Sequence, residues 1–166
     1  VTVTVNPNPV ISLNTVQPVC SGGTGTVTVS GAVSFSISPA AGVQAGNVFS
    51  GLPTGTYTIT GTTSGCTGTA VATIMVPSPV VLDVLAGDAS CGAPTGTVSA
   101  TASGGTGTLT LSSVPALVFV SGVADAAPGN YVIRATDANG CFAEQSVTVN
   151  LSGSVTVSIS GTTVVC

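Results

Sequence analysis

Histidine, lysine and tryptophan are absent from this 166-residue chain. Arg134 is its only cation, and Asp83, Asp88, Asp125, Asp137 and Glu144 are its only acids. Charged residues therefore make up 4% of the sequence, against roughly 25% in an average globular protein. Each absence excludes something. Without His or Lys, most general acid–base and activated-nucleophile arrangements have no members, and the five carboxylates are scattered, so no enzyme and no catalytic residue is expected. Lysine-dependent isopeptide cross-links are excluded. One cation leaves no basic footprint for nucleic acid. Metal sites need clustered ligands at short spacing, and there is no C-x-x-C. The run Asp137-Ala138-Asn139-Gly140 resembles a calcium-loop fragment, but Ca²⁺ takes six or more oxygens, and an Asn-Gly turn between two strands is the plainer reading. No cofactor is implied. Long apolar runs are also missing. Stretches such as Val114–Val120, interrupted by Pro115, fall far short of the roughly 18–20 residues of a spanning helix, so no membrane span is expected. No signal-peptide pattern opens the chain.

What the sequence does have is 20 Ser, 26 Thr, 22 Gly and many Val. β-Branched residues suit a pleated, half-buried surface, and this is a β composition. Apolar and polar residues alternate in "TVTVS", "SFSIS", "TYTIT", "TLTL" and "SVTVN", which buries one face of each strand. Gly and Pro punctuate the chain as in a sandwich with tight turns. The fold class is therefore all-β. In the second half, strands are expected near Val80–Leu85, Gly96–Thr101, Gly107–Ser112, Ala116–Ser121, Asn130–Thr136 and Glu144–Val149. The six aromatics, Phe35, Phe49, Phe119, Phe142, Tyr57 and Tyr131, read as core. Tyr57 and Tyr131 stand at the start of the penultimate strand of each half. That is where immunoglobulin-like folds often tie a tyrosine hydroxyl to a loop, and a plain half-buried tyrosine is the alternative.

The chain repeats itself. "CSGGTGTVTVSG" at Cys20 matches "CGAPTGTVSATA" at Cys91, and "LPTGTYTITGTTSGC" ending at Cys66 matches "APGNYVIRATDANGC" ending at Cys141. Cys20 and Cys66 are 46 residues apart and Cys91 and Cys141 are 50 apart, while Cys66–Cys91 and Cys141–Cys166 are both 25. The opening "VTVTVNPNPV" matches the last strand and joint of each repeat. The expected organisation is residues 1–8, last strand and joint of a preceding repeat; 9–77, repeat one; 78–150, repeat two; and 151–166, first strand of a following repeat. With metals and nucleophiles set aside, disulfides remain for the cysteines. The spacing pairs Cys20 with Cys66 and Cys91 with Cys141, leaving Cys166 unpaired within the chain. Each such loop closure is worth about 4 kcal/mol as a model upper figure. Disulfides imply an oxidising place outside the cytoplasm.

The segments "GGTGTLTL", "LPTGTYTIT…GC" and "GNYVIRATDANGCFAEQSVTV" look like the SprB-type tandem repeats of very large Bacteroidota cell-surface adhesins of gliding motility. The most specific part is Gly129 to Cys141. Repeat one departs from it, with "TTSGC" for "TDANGC" and "SGAVSFSI" at Ser30 where repeat two has "SGGTGTLTL" at Ser103. The resemblance implies two tandem immunoglobulin-like β-sandwich repeats, export, and an extracellular, surface-exposed adhesive or filament-forming role. The expected function is structural: a segment or subunit of a filament or adhesin built head to tail, partnered by copies of itself or by adjacent repeats. Both terminal segments would then be completed by a continuing polypeptide or by strand exchange between subunits. The alternative is a cell-surface module that binds a ligand or carbohydrate, which would show as an exposed aromatic or acidic pocket. The scarcity of charge calls for another means of solvation, either covalent glycans on exposed Ser/Thr or packing into a filament. Asn150-Leu151-Ser152 is the one N-glycosylation-type sequon.

Overall fold

A computed structural model describes residues 6–153. The expected terminal strands Val1–Val5 and Ser154–Cys166, and Cys166 itself, lie outside the described residues. The chain divides between Pro79 and Val80 into two compact units. Every regular element among the described residues is a strand, so no helix is long and apolar enough to cross a membrane.

Unit one holds β1 (Ser12–Val16), β2 (Gly25–Ser30), β3 (Ser34–Ser38), β4 (Val43–Ala45), β5 (Val48–Leu52), β6 (Gly55–Thr63) and β7 (Cys66–Ile74). They form a four-stranded sheet in the order β1-β2-β5-β4 and a three-stranded sheet in the order β3-β6-β7, all antiparallel. Lettered A to G along the chain, these are the ABED and CFG sheets of a constant-type immunoglobulin sandwich. The alternation does what it predicts. Gly25, Val27 and Val29 of β2 point inward, as do Tyr57, Ile59 and Gly61 of β6. Val27, Val29, Phe49, Leu52, Tyr57, Ile59, Ala72 and Ile74 form the core, with Ile11, Leu13, Phe35, Ile37 and Ala41 around it.

Unit two repeats the plan with β8 (Val81–Gly87), β9 (Ala89–Ser90), β10 (Gly96–Ser103), β11 (Thr110–Val114), β12 (Val123–Ala126), β13 (Gly129–Thr136), β14 (Phe142–Val149) and β15 (Leu151–Ser152). One sheet runs β12-β10-β8 and the other β11-β13-β14, and β9 pairs with β15 in parallel. Val84, Val98, Ala100, Ala126, Tyr131, Ile133 and Val149 form its core. Both tyrosines close the loop before their strand: Tyr57 donates its hydroxyl to the Pro53 carbonyl at 3.0 Å, and Tyr131 to that of Ala127 at 2.9 Å.

Three sequence expectations need correction here. The strand placed at Ala116–Ser121 is not formed; its residues make a loop ending in a tight turn at Val120–Val123, and the inner-sheet strand is β12. The strand placed at Gly107–Ser112 begins at Thr110, because Gly104, Gly105 and Gly107 all take positive φ and make "GGTG" a turn. Leu151–Ser152, assigned to a following repeat, pair with Ala89–Ser90 of unit two.

Candidate functional site

The cysteines are the chain's most reactive side chains, and the last strand of each unit determines where they stand. In unit one, β7 begins at Cys66 and ends at Ile74. Its start is a two-residue hairpin, with Ser64 at φ 49° and Gly65 at φ 81°, the twist-matched turn for antiparallel strands. Its far end is held by Gln17. The Gln17 Nε2 donates to the Thr73 carbonyl at 2.9 Å, and its Oε1 accepts the Met75 N–H at 2.8 Å. Cys20 follows in the turn that leads into β2. Unit two is built alike. Asp88, three residues before Cys91 as Gln17 is before Cys20, accepts at Oδ1 from the Asn150 N–H at 3.1 Å and from Asn150 Nδ2 at 3.2 Å. Cys141 immediately precedes β14, and Cys91 lies toward its far end beside Gly153.

This geometry overturns the expected pairing. The two cysteines of a unit are separated by the length of its last strand, about 25–30 Å at ~3.3 Å per residue. A disulfide needs Cα atoms within about 7 Å. Cys66 and Cys91 are accordingly free thiols, the first partly buried and the second exposed, while Cys20 and Cys141 are disulfide-bonded. The bonds Cys20–Cys66 and Cys91–Cys141 are therefore not formed. The repeat spacing was right as a period and misleading as a pairing rule, because it carries no information on which end of the sandwich each cysteine reaches.

The loop before Cys141 is a compact anion cradle rather than an open chelate. Asp137 Oδ2 accepts the Thr106 N–H at 2.8 Å, and Oδ1 accepts those of Asn139 and Cys141 at 2.9 Å each. Burial works to raise the Asp137 pKa, but the N–H groups of Thr106, Cys141, Asn139 and Gly140 outweigh it and hold the carboxyl below its ordinary value.

The outer face of β13 and β14 carries the other polar cluster. Arg134 pairs with Glu144, Nε and Nη2 each 2.7 Å from Oε1, and its guanidinium lies 4.1 Å from the Phe142 ring centroid. Phe142 is 53% exposed, so it is not a core aromatic. A shallow depression of about 340 Å³ adjoins this cluster, lined by Ser112, Ser113, Val114 and Val132 together with the ion pair. An exposed ion pair of this kind contributes about 0–1 kcal/mol. The sequon residues are engaged in unit two: Asn150 by Asp88, and Ser152 through its hydroxyl to the Ala89 carbonyl at 3.0 Å.

No protein-family model matches the chain, and no curated protein does. Solved structures with similar backbones include a C-terminal fragment of intimin in complex with the intimin-binding domain of the translocated intimin receptor, at 15% identity and TM-score 0.49, covering 87% of this chain and 66% of that one. An I-band fragment of titin gives 14% identity and TM-score 0.47, covering 89% of this chain and 66% of that one. The N-terminal immunoglobulin domains of Down syndrome cell adhesion molecule give 12% identity and TM-score 0.44 over 88% of this chain and 25% of that one. The chain thus spans about two thirds or less of these proteins. Its own strand order, ABED on CFG in unit one and ABE on CFG in unit two, with a tyrosine tied back at the E–F corner of each, makes it a tandem of immunoglobulin-like sandwiches.

Proposed function

We propose that the chain is a structural segment of an extracellular bacterial filament or adhesin, assembled head to tail from immunoglobulin-like units. One observation carries the reading: in each unit the chain enters at one end and leaves at the other. In unit one it enters past Asn6 beside Cys66 and leaves at Met75 beside Gln17. In unit two it enters at Val80, against the Asp137 loop, and leaves past Gly153 beside Cys91. Such a unit strings naturally into a row, each touching only its neighbours. The disulfide-bonded cysteines favour an oxidising, extracellular setting. Resemblance to surface adhesin repeats favours the same setting. Glycans on exposed Ser and Thr, or packing within the row, would solvate a surface with so little charge. Electron micrographs of the native polypeptide, with its intact mass, provide the test. Rods whose length grows in proportion to the number of units are expected. Compact particles of fixed size would overturn the reading.

The Arg134–Phe142–Glu144 cluster favours a second reading, a carbohydrate-binding surface on unit two, since an exposed aromatic beside hydrogen-bonding groups suits a sugar face. Glycan binding abolished by Phe142→Ala would support it, and no binding to a broad glycan panel would remove it.

A further inference from the structure

We propose that Cys66 and Cys91 are the open halves of disulfides that join this pair of units to adjoining units of the same kind, Cys66 to a neighbour's first cysteine and Cys91 to a neighbour's hairpin cysteine. The proposal rests on the head-to-tail reading above. Three observations carry it. Each free thiol stands where the chain enters or leaves a unit: Cys66 Sγ lies 3.5 Å from the Asn6 carbonyl oxygen at the entry to unit one, and Cys91 Sγ lies 3.6 Å from that of Gly153 at the exit from unit two. Each has a repeat equivalent that is bonded: Cys141 occupies the hairpin position of Cys66, and Cys20 the first-cysteine position of Cys91, and both are in disulfides. Finally, neither bonded cysteine is paired with its own unit's other cysteine, which is free and a full strand length away. Cys66 and Cys91 thus stand at repeat positions whose counterparts are oxidised, and each remains reduced.

The chemistry balances by thiol–disulfide exchange. The Cys91 thiolate of one copy attacks a small disulfide oxidant such as glutathione disulfide, forming a mixed disulfide and releasing one glutathione thiolate. The Cys66 thiolate of another copy then displaces the second glutathione. The two cysteines lose two protons and two electrons, and the oxidant is reduced to two thiols.

The test uses the full chain with Cys166→Ser, so that the fifth cysteine cannot compete, incubated concentrated with glutathione disulfide. A ladder of covalent multimers on non-reducing gels is expected, collapsing with reductant. Peptide mapping should find Cys66 joined to Cys91, and free thiol should fall from two per chain toward none. With Cys66→Ser or Cys91→Ser added, the ladder should vanish. Persistently free Cys66 and Cys91 would overturn the proposal, as would Cys66–Cys66 and Cys91–Cys91 bonds, or a Cys66–Cys91 bond within monomers. Rod length of reduced native material tests the head-to-tail reading separately. A correctly paired ladder without rods would keep the disulfide and remove the array, and rods without the ladder the reverse.

Discussion

Gln17 holds Met75 as a paired strand would, with its side-chain amide donating to one backbone group and accepting from another two residues on. Asp88 holds Asn150 at the same place in unit two. Two different residues thus perform one task, fastening the end of the first strand to the end of the last.

Removing this fastening should weaken unit one. Gln17→Ala deletes both hydrogen bonds and is expected to cost about 1–2 kcal/mol, while Gln17→Glu, which keeps the acceptor and loses the donor, should cost about half as much. Urea denaturation of the chain, followed by a probe in each unit, would measure both. An unchanged midpoint for Gln17→Ala would show the fastening to be ornamental.

The tyrosine hydroxyls offer a cleaner deletion, because Phe keeps the ring. Tyr57→Phe and Tyr131→Phe should each destabilise their unit by about 1 kcal/mol, leaving the Pro53 and Ala127 carbonyls unmet. Equal losses in the two units would confirm that the corner is the same device in both.

Gly96 starts β10 where the Gly87 carbonyl and the Val149 side chain close over its α-carbon. A methyl group there would strike backbone, which cannot swing aside, so Gly96→Ala should cost about 3 kcal/mol or more. Gly92→Ala serves as control: nothing lies within 4 Å of the added carbon, and the effect should stay within about 0.5 kcal/mol. Thermal melts of the two variants should separate accordingly.

Asp137 makes the acid stability of unit two asymmetric. Its folded pKa is lowered, so the stabilisation is fully present above the unfolded value of about 3.9 and is lost as pH falls through the lower folded value. Asp137→Asn should lower stability at pH 7 and flatten the decline below about pH 4. Unit one, with Thr63 at the equivalent position, should show no matching step. Urea midpoints taken from pH 2 to pH 6 would test this.

Much of the architecture was legible in the sequence. The alternating runs at Val27, Ile59 and Ile133 marked strands because a sheet face buries every second residue. Tyr57 and Tyr131 marked the corner. The loop from Ala116 to Ser121 deceived because its Leu117 and Phe119 do pack against the core, as β-strand residues would, while the true strand inserts only the small Ala124 and Ala126. The cysteine arrangement was misread for a geometric reason. Periodicity along the chain reports which residues are equivalent, and only the direction of β7 and β14 reports which end they occupy. Gln17 and Asp88 left no signal, since they share a position relative to the next cysteine and nothing of their chemistry.

The parallel pairing of β9 with β15, and its side-chain counterpart at Gln17, has a mechanical consequence. Tension between the two ends of a unit would draw the first strand one way and the last strand the other along a common axis. The bonds across them would be loaded in shear and would have to fail together rather than one after another, as in an unzipping hairpin. A sandwich with a small core and almost no charge thereby gains resistance to stretching from a few well-placed hydrogen bonds.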